Sequence, residues 1–221
     1  MLFSKLTGRP VNSETTRIAT SLSAREQILE AADRLFGDKG FDAASVREIA
    51  EECGVNKALV HYHFGSKDGL FESVLDKYYQ RLDQVLLKAM QKPGSPRERI
   101  FNMLDTYVDF LAQYRNFSRI VQRESSGGKH LERIREHLVP MFSRGRKLLH
   151  DAFPETSSGA LAAEHLLVSF YGMIVAYFTW AEMLKGLTGS DPLSKTNLAG
   201  RKKHLHKMLD TILKEMVRSG R

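Results

Sequence analysis

The chain has 221 residues, a net charge of +7 and a composition that is 42% hydrophobic and 27% charged, which suits one large or two small globular domains. No apolar run approaches the roughly 20 residues that a transmembrane helix needs, and a single cysteine, Cys53, leaves no internal disulfide and no zinc framework. Residues 1–17, MLFSKLTGRPVNSETTR, lack the apolar stretch of a signal peptide, so a cytoplasmic location is expected and a membrane partner is not.

Residues 1–22 are polar and irregular. They read as a flexible arm with Lys5, Arg9 and Arg17, either without a contact of its own or reaching a minor groove. The first helix is announced by Ser23 and Glu26, an S-x-x-E capping box that satisfies two orphan amides. Ile28, Ala31, Ala32, Leu35 and Phe36 follow the helical period, and Gly40 is expected as a left-handed cap. Ser45 and Glu48 repeat the capping box and open a second helix with Val46, Ile49 and Ala50 inward. Gly54 makes a turn, Val55 plugs it, and a third helix runs from about Asn56 to His63. Ser66 caps a fourth helix reaching toward Met90, before the break Pro93-Gly94-Ser95-Pro96.

Beyond that break the chain stays helical: Arg97 to Tyr114, Asn116 to Ser125, then Leu131 to Ala152 with an interruption near Pro140. A long apolar helix is expected over Gly159 to Lys185, a loop over Gly186 to Asn197, and a basic amphipathic helix from about Leu198 to Val217. No sustained period-2 alternation appears, so the fold class is all-α.

Charge falls unevenly. Residues 1–92 hold 13 Lys+Arg against 13 Asp+Glu, whereas residues 93–221 hold 20 against 13. The global excess therefore does not mark a nucleic-acid surface. The local pattern does, since no acid occurs between Glu52 and Asp68 while Lys57, His61, His63 and Lys67 do.

Residues 45–64, SVREIAEECGVNKALVHYHF, have the build of a helix-turn-helix, whose second helix enters the major groove while the first braces it. Val46, Ile49, Val55, Val60 and Phe64 would form its small core. Asn56, Lys57, Leu59, His61, Tyr62 and His63 remain for the outer face. Lys57 suits guanine O6/N7 or a phosphate, and Leu59 suits a thymine methyl or else packs inward. Tyr62 offers a hydroxyl to phosphate. His61 and His63 suit phosphate or base acceptors, and His63 alternatively packs or caps locally. Arg47 fits a phosphate or base edge. Lys67 and Ser45 fit phosphates at helix starts.

Residues 25–75 together resemble the DNA-binding domain of TetR/AcrR-family transcriptional regulators. The resemblance rests on A-A-x-x-L-F in the first helix, G-F before the second, I-A, the G-V turn, Y-H-F, and S-K at the start of the fourth. His61, Leu59 and Gly65 depart from the family pattern, where tyrosine, a small residue and proline are common; Gly65 is expected to loosen the junction after the third helix. The resemblance implies residues 23–75 as the DNA reader and 76–221 as a helical ligand-binding and dimerisation domain, joined by a long helix. It also implies a homodimer on a palindromic operator, with repression the commoner behaviour.

Dimerisation is expected through helices near 159–185 and 198–217, with completion of the monomer core as the alternative. Ala160, Ala162, Ala163, Gly172, Ala176 and Ala181 would permit close approach. Leu205, Met208, Leu209, Ile212, Leu213 and Met216 would form the partner face. Candidate pocket residues are Phe101, Tyr107, Phe110, Tyr114, Phe117, Phe142, Tyr171, Tyr177, Phe178 and Trp180, unless they are plain core. Gln122, Glu124, His137 and His165 either orient a ligand or face solvent. The effector is expected to be neutral or anionic and partly apolar.

An enzyme is not expected, nor a metal or cofactor. The chain has no G-x-S-x-G, Walker, G-x-G-x-x-G or HExxH motif, and His204 and His206 lie two apart, off a shared helical face. The remaining alternative is a ligand-independent DNA-binding regulator whose second half is a protein-interaction module.

Overall fold

A computed structural model describes residues 22–125 and 127–219; the expected arm with Lys5, Arg9 and Arg17 lies outside the described residues. Ten α-helices and no strand occur among them. Of the first three, α1 (Ala24–Lys39) and α3 (Lys57–Phe64) pack on α4 (Lys67–Gln91), and α2 (Val46–Glu52) packs on α1 and α3. Then follow α5 (Pro96–Gln113), α6 (Arg115–Ser125), α7 (Leu131–Ala152), α8 (Ala163–Thr179), α9 (Ala181–Thr188) and α10 (Lys195–Ser219), with one turn of 3₁₀ helix at Pro154–Ser157.

Local chemistry fixes the N-terminal helices. Ser23 with Glu26 and Ser45 with Glu48 form complete capping boxes, and Ser66 accepts from the Gly69 amide. Each such cap is worth about 1 kcal/mol. Hydrogen bonds from Lys39 and Ser45 hold the Glu48 carboxyl down to about 2. This contribution is present above the carboxylate's ordinary value near 4.5 and is lost as pH falls toward 2. Gly40 has positive φ (86°) but an extended ψ of 169°, so it ends α1 without the expected left-handed cap.

α4 carries the architecture. Leu70, Phe71, Val74 and Leu75 are buried with Ile28, Phe36, Ile49 and Val60 of the first three helices. Farther along, Tyr78, Tyr79 and Leu82 are buried with Val108, Leu111, Phe117 and Ile134, and one hydrophobic cluster spans both halves.

Three expectations are corrected. α7 runs unbroken through Pro140; both Pro140 and Glu136 one turn earlier are exposed, so the bond that proline removes lies on the solvent face. The helix expected over Gly159 to Lys185 is two, α8 and α9, bent by 72° at Trp180. The α9–α10 loop holds this corner, with the Tyr177 hydroxyl donating to Pro192 O at 2.8 Å. Finally, four of the six residues expected to form a partner face on α10, Leu205, Leu209, Leu213 and Met216, are buried within the protomer, whereas Met208 is 40% exposed and Ile212 half-buried. α10 is tied to α5 by Arg97–Asp210 (2.7 Å), His206–Asp105 (2.9 Å) and Lys202–Asp109 (2.7 Å). No single helix is long and apolar enough to cross a membrane.

Candidate nucleic-acid interface and apolar cavity

α2 and α3 are joined through Cys53–Asn56, with Gly54 at φ 68°. Asn56 Oδ1 accepts from the Leu59 amide at 2.8 Å, so its oxygen is committed to starting α3 while its Nδ2 keeps its donors. Val60 is buried; Val46, Val55 and Phe64 are half-buried against the core. α3 thus presents Lys57, Ala58, His61 and Tyr62 outward. Tyr62 is 82% exposed. Among the described residues Lys57 makes no hydrogen bond or ion pair.

The other sequence candidates behave differently. Leu59 is half-buried and packs on the core, which favours the inward alternative. His63 is also half-buried, with its ring 5.2 Å from Tyr62 and 6.1 Å from Phe64. It is His61, not His63, that caps: His61 Nδ1 lies 3.0 Å from Gly65 O. Arg47 is exposed and paired with Glu51 at 2.7 Å, and that bond raises the Arg47 pKa. Ser45 is used by its capping box. Lys67 donates to Asp42 O at 3.2 Å and lies 4.4 Å over the Phe41 ring, so it ties α4 to the α1–α2 loop.

Gly65 does not loosen the junction. Its φ is +73° and ψ −54°, with Ser66 N donating to Phe64 O at 2.8 Å across it, a tight γ-turn. The Gly65 amide donates to His61 O at 2.8 Å. Two backbone hydrogen bonds and the His61 ring contact, all within residues 61–66, pin the end of α3.

Between α4, α5, α7, α8 and α10 lies an apolar cavity of about 140 Å³. Of the expected pocket residues only Tyr107, Phe142 and Tyr171 line it. Most of its wall is aliphatic, including Leu82, Leu86, Met103, Leu138, Met141 and Ile174, and was not singled out from the sequence because such residues are indistinguishable from core. Their one signal is spacing: Met103 stands one turn before Tyr107, and Met141 beside Phe142.

The remaining candidates have other partners. Phe101 stacks on His206 at 4.3 Å. Phe110, Phe117 and Phe178 are buried core. Tyr114 packs on Tyr78 at 5.6 Å. Tyr177 lies under Arg201 at 5.0 Å. His137 stacks on Tyr79 and meets Asp76 at 2.8 Å. Gln122, His165 and Trp180 are exposed and do not line the cavity. Glu124 is buried and holds His130. No charged side chain lines the cavity, because the cations of this half are spent elsewhere, on pairs such as Arg133–Asp76 and Arg144–Asp83. The +7 of residues 93–221 therefore carries no information about a ligand there.

Two residues missed in the sequence join the halves. Arg123 of α6 donates to Phe36 O (3.3 Å), Gly37 O (3.2 Å) and Asp38 O (3.3 Å), capping the C-terminal end of α1. His130, 4% exposed, sits between Glu124 Oε2 and Asp68 Oδ1, each 3.1 Å from a ring nitrogen, with the rings of Phe41 and Phe71 both 4.5 Å away. Neither role had a local signal, since their hydrogen-bond partners in the first half are 62 to 87 residues distant.

Among known proteins, a family model described as "Bacterial regulatory proteins, tetR family" matches residues 28–74. The HTH-type transcriptional regulator Mb3439c of Mycobacterium bovis is 31% identical over 195 residues, 83% of this chain and 92% of its own length. The HTH-type transcriptional activator FasR of Mycolicibacterium smegmatis is 33% identical over 87 residues, 39% of this chain and 40% of its own. With several curated relatives, FasR included, the match spans about half of the relative's length or less. The fold is similar to that of the fatty acid degradation regulator FadR from Bacillus halodurans, with a TM-score of 0.68 at 19% identity, covering 84% of this chain and 93% of that one. These relatives are transcriptional regulators and not enzymes. The extended match to Mb3439c, together with the capped helix-turn-helix and the helical second half, identifies the chain as a member of the TetR family of DNA-binding transcriptional regulators.

Proposed function

We propose that the protein is a dimeric, ligand-released repressor of a palindromic operator, with residues 23–75 as reader and 76–221 as effector and dimer domain. The observation that carries the DNA-reading part is the outer face of α3, where Lys57, His61 and an 82% exposed Tyr62 stand on a helix pinned at both ends, with no acid among them. One such helix reads only a few base pairs, so useful specificity calls for two related by a two-fold axis.

The dimer reading is supported by an outward stripe of α8 and α9. Val168, Trp180, Met183 and Leu187 are exposed, and Ser169 and Gly172 lie on the same face of α8. A Cβ at Gly172 meets nothing within the protomer. Gly172→Arg is therefore expected to leave the protomer folded and weaken dimerisation at least a hundredfold, read by light scattering after size exclusion. A Gly172→Arg protein that remains dimeric at low micromolar concentration would remove this face from consideration.

Release is supported by the ties between cavity and reader. α4 lines the cavity with Leu82 and Leu86 and enters the reader at its other end. Along it, Asp68, Asp76 and Asp83 pair with His130, Arg133 and Arg144 of α7 and its leading loop. A ligand that separates α7 from α5 would move α4 with α7, in proportion to its preference for the moved state.

The direct test is selection of bound duplexes from a random pool. A palindrome with half-sites about one helical turn apart supports the reading, and an asymmetric single site refutes it. On the recovered operator, Tyr62→Ala is expected to weaken operator and random DNA alike. Lys57→Ala should lose about 1–3 kcal/mol of discrimination at one base position. Equal losses on both DNAs for Lys57→Ala would rule out base reading by that side chain.

A further inference from the structure

The apolar cavity adjoins a narrow recess of about 10 Å³ that shares Leu82, Tyr107, Leu138 and Tyr171 with it. Tyr79 closes the recess. It is 1% exposed, stacked on His137 at 4.8 Å and edge-on to Phe117 at 5.1 Å. Its hydroxyl finds no hydrogen-bond partner on the protein. The hydroxyls of Tyr107 and Tyr171 likewise make no hydrogen bond among the described residues. Three unpaired phenols therefore meet around one recess on the edge of an otherwise hydrocarbon cavity.

Leaving the Tyr79 hydroxyl without a partner is costly, because a polar group withdrawn from water loses its hydrogen bonds. Burial raises the pKa of all three phenols, so each keeps its proton and remains a donor. The group that satisfies them must bring an acceptor. It must also be uncharged: no Lys, Arg or His lines the cavity or recess to receive a carboxylate, and no Asp or Glu lines them to receive an amine. Size narrows the choice further. A 150 Å³ apolar cavity accepts one benzene, and this one has about 140 Å³ with Met103 and Met141 as pliable walls.

We propose that the effector is a small uncharged molecule with a hydrocarbon body of about one ring and a single oxygen acceptor, such as a ketone, ether or alcohol. The hydrocarbon fills the aliphatic cavity and the oxygen enters the recess to receive hydrogen bonds from Tyr79, Tyr107 or Tyr171. This assignment rests on the reading of the cavity as the effector site.

Ligand-observed NMR titrations of the full chain with cyclohexanone, methylcyclohexane and cyclohexanecarboxylate at neutral pH separate the two claims. Tyr79→Phe and Tyr171→Phe should each weaken cyclohexanone at least fivefold while leaving methylcyclohexane within twofold, and cyclohexanecarboxylate should bind at least tenfold more weakly than cyclohexanone. The carbonyl stretch of bound cyclohexanone should lie at lower frequency than in hexane, and return toward the hexane value in the variants. Tyr79→Phe should melt at or above the wild-type temperature, because it removes only an unpaired hydroxyl; a fall of several degrees would show the hydroxyl to be satisfied within the protein and overturn the proposal. Equal losses for cyclohexanone and methylcyclohexane, or preferred binding of the carboxylate, would overturn the polar assignment while leaving the cavity as a ligand site. Binding of none of the three probes would overturn both.

Discussion

Gly65→Pro is expected to abolish DNA binding and destabilise the fold by about 3 kcal/mol, a factor above a hundred in the folding equilibrium. Resemblance to the family suggests the opposite, since proline is common at this position and would read as a consensus improvement. The backbone decides. Gly65 sits at φ +73°, whereas proline is confined near −65°. Proline would also remove the amide that donates to His61 O at 2.8 Å, and it would displace the carbonyl that faces His61 Nδ1 at 3.0 Å. Both contacts hold the last turn of α3, on which Tyr62 and His61 stand. Gly65→Ala keeps the amide but pays the positive-φ penalty, and it should cost about 1–2 kcal/mol. Denaturant unfolding together with titration onto the selected operator checks both. A Gly65→Pro protein as stable as wild type would mean that the α3–α4 turn accommodates a second conformation.

The same comparison shows which parts of this molecule were written locally. The starts of α1, α2 and α4 were legible because Ser23, Ser45 and Ser66 bond to amides three residues on, within the same short stretch. The inward positions Ile49, Ala50 and Val60 were legible because the 3.6-residue period repeats over the turn. Pro140 misled, since proline breaks a helix only where its missing donor is needed, and solvent covers that site here. The corner at Trp180 left no trace, because neither glycine nor proline stands there and the bend is held by a loop that returns fifteen residues later. Lys67 and Asn56 have the right chemistry for DNA, and each also has a partner within the protein, Asp42 O and the Leu59 amide, that its position in the sequence did not announce. In the second half the aromatic residues drew attention, yet most found one another or a cation. The cavity fell instead among leucines and methionines whose arrangement only tertiary packing decides.

His130 is where that tertiary packing bears on function, and its replacement should have the second large effect. The residue belongs to the loop before α7, yet it closes against Asp68 at the start of α4 and Phe41 in the α1–α2 loop, both in the reader. Each ring nitrogen faces a carboxylate, so a neutral ring donates to only one of the two. His130→Ala leaves Glu124 buried with the His130 backbone amide as its remaining partner in this cluster, and opens a gap beside the Phe41 and Phe71 rings, which pack edge-on against each other. Loss of a buried pairing plus a cavity should lower stability by about 2–4 kcal/mol. The more telling effect is on cooperativity. The halves share one hydrophobic cluster, and their polar ties at this end are His130 and Lys129 to Asp68, Arg123 to the end of α1, and the longer contacts of Arg119 with Asp38 and Asn116 with Asp33 O. Calorimetry should show one transition for wild type and two for His130→Ala, the reader melting first. His130→Gln, which keeps a donor toward Asp68, should recover part of the loss. If His130→Ala melts in one transition within about 0.5 kcal/mol of wild type, a range in which surface substitutions usually fall, the cluster is not what joins reader to effector domain. The coupling would then have to run through the Asp76 and Asp83 pairs along α4.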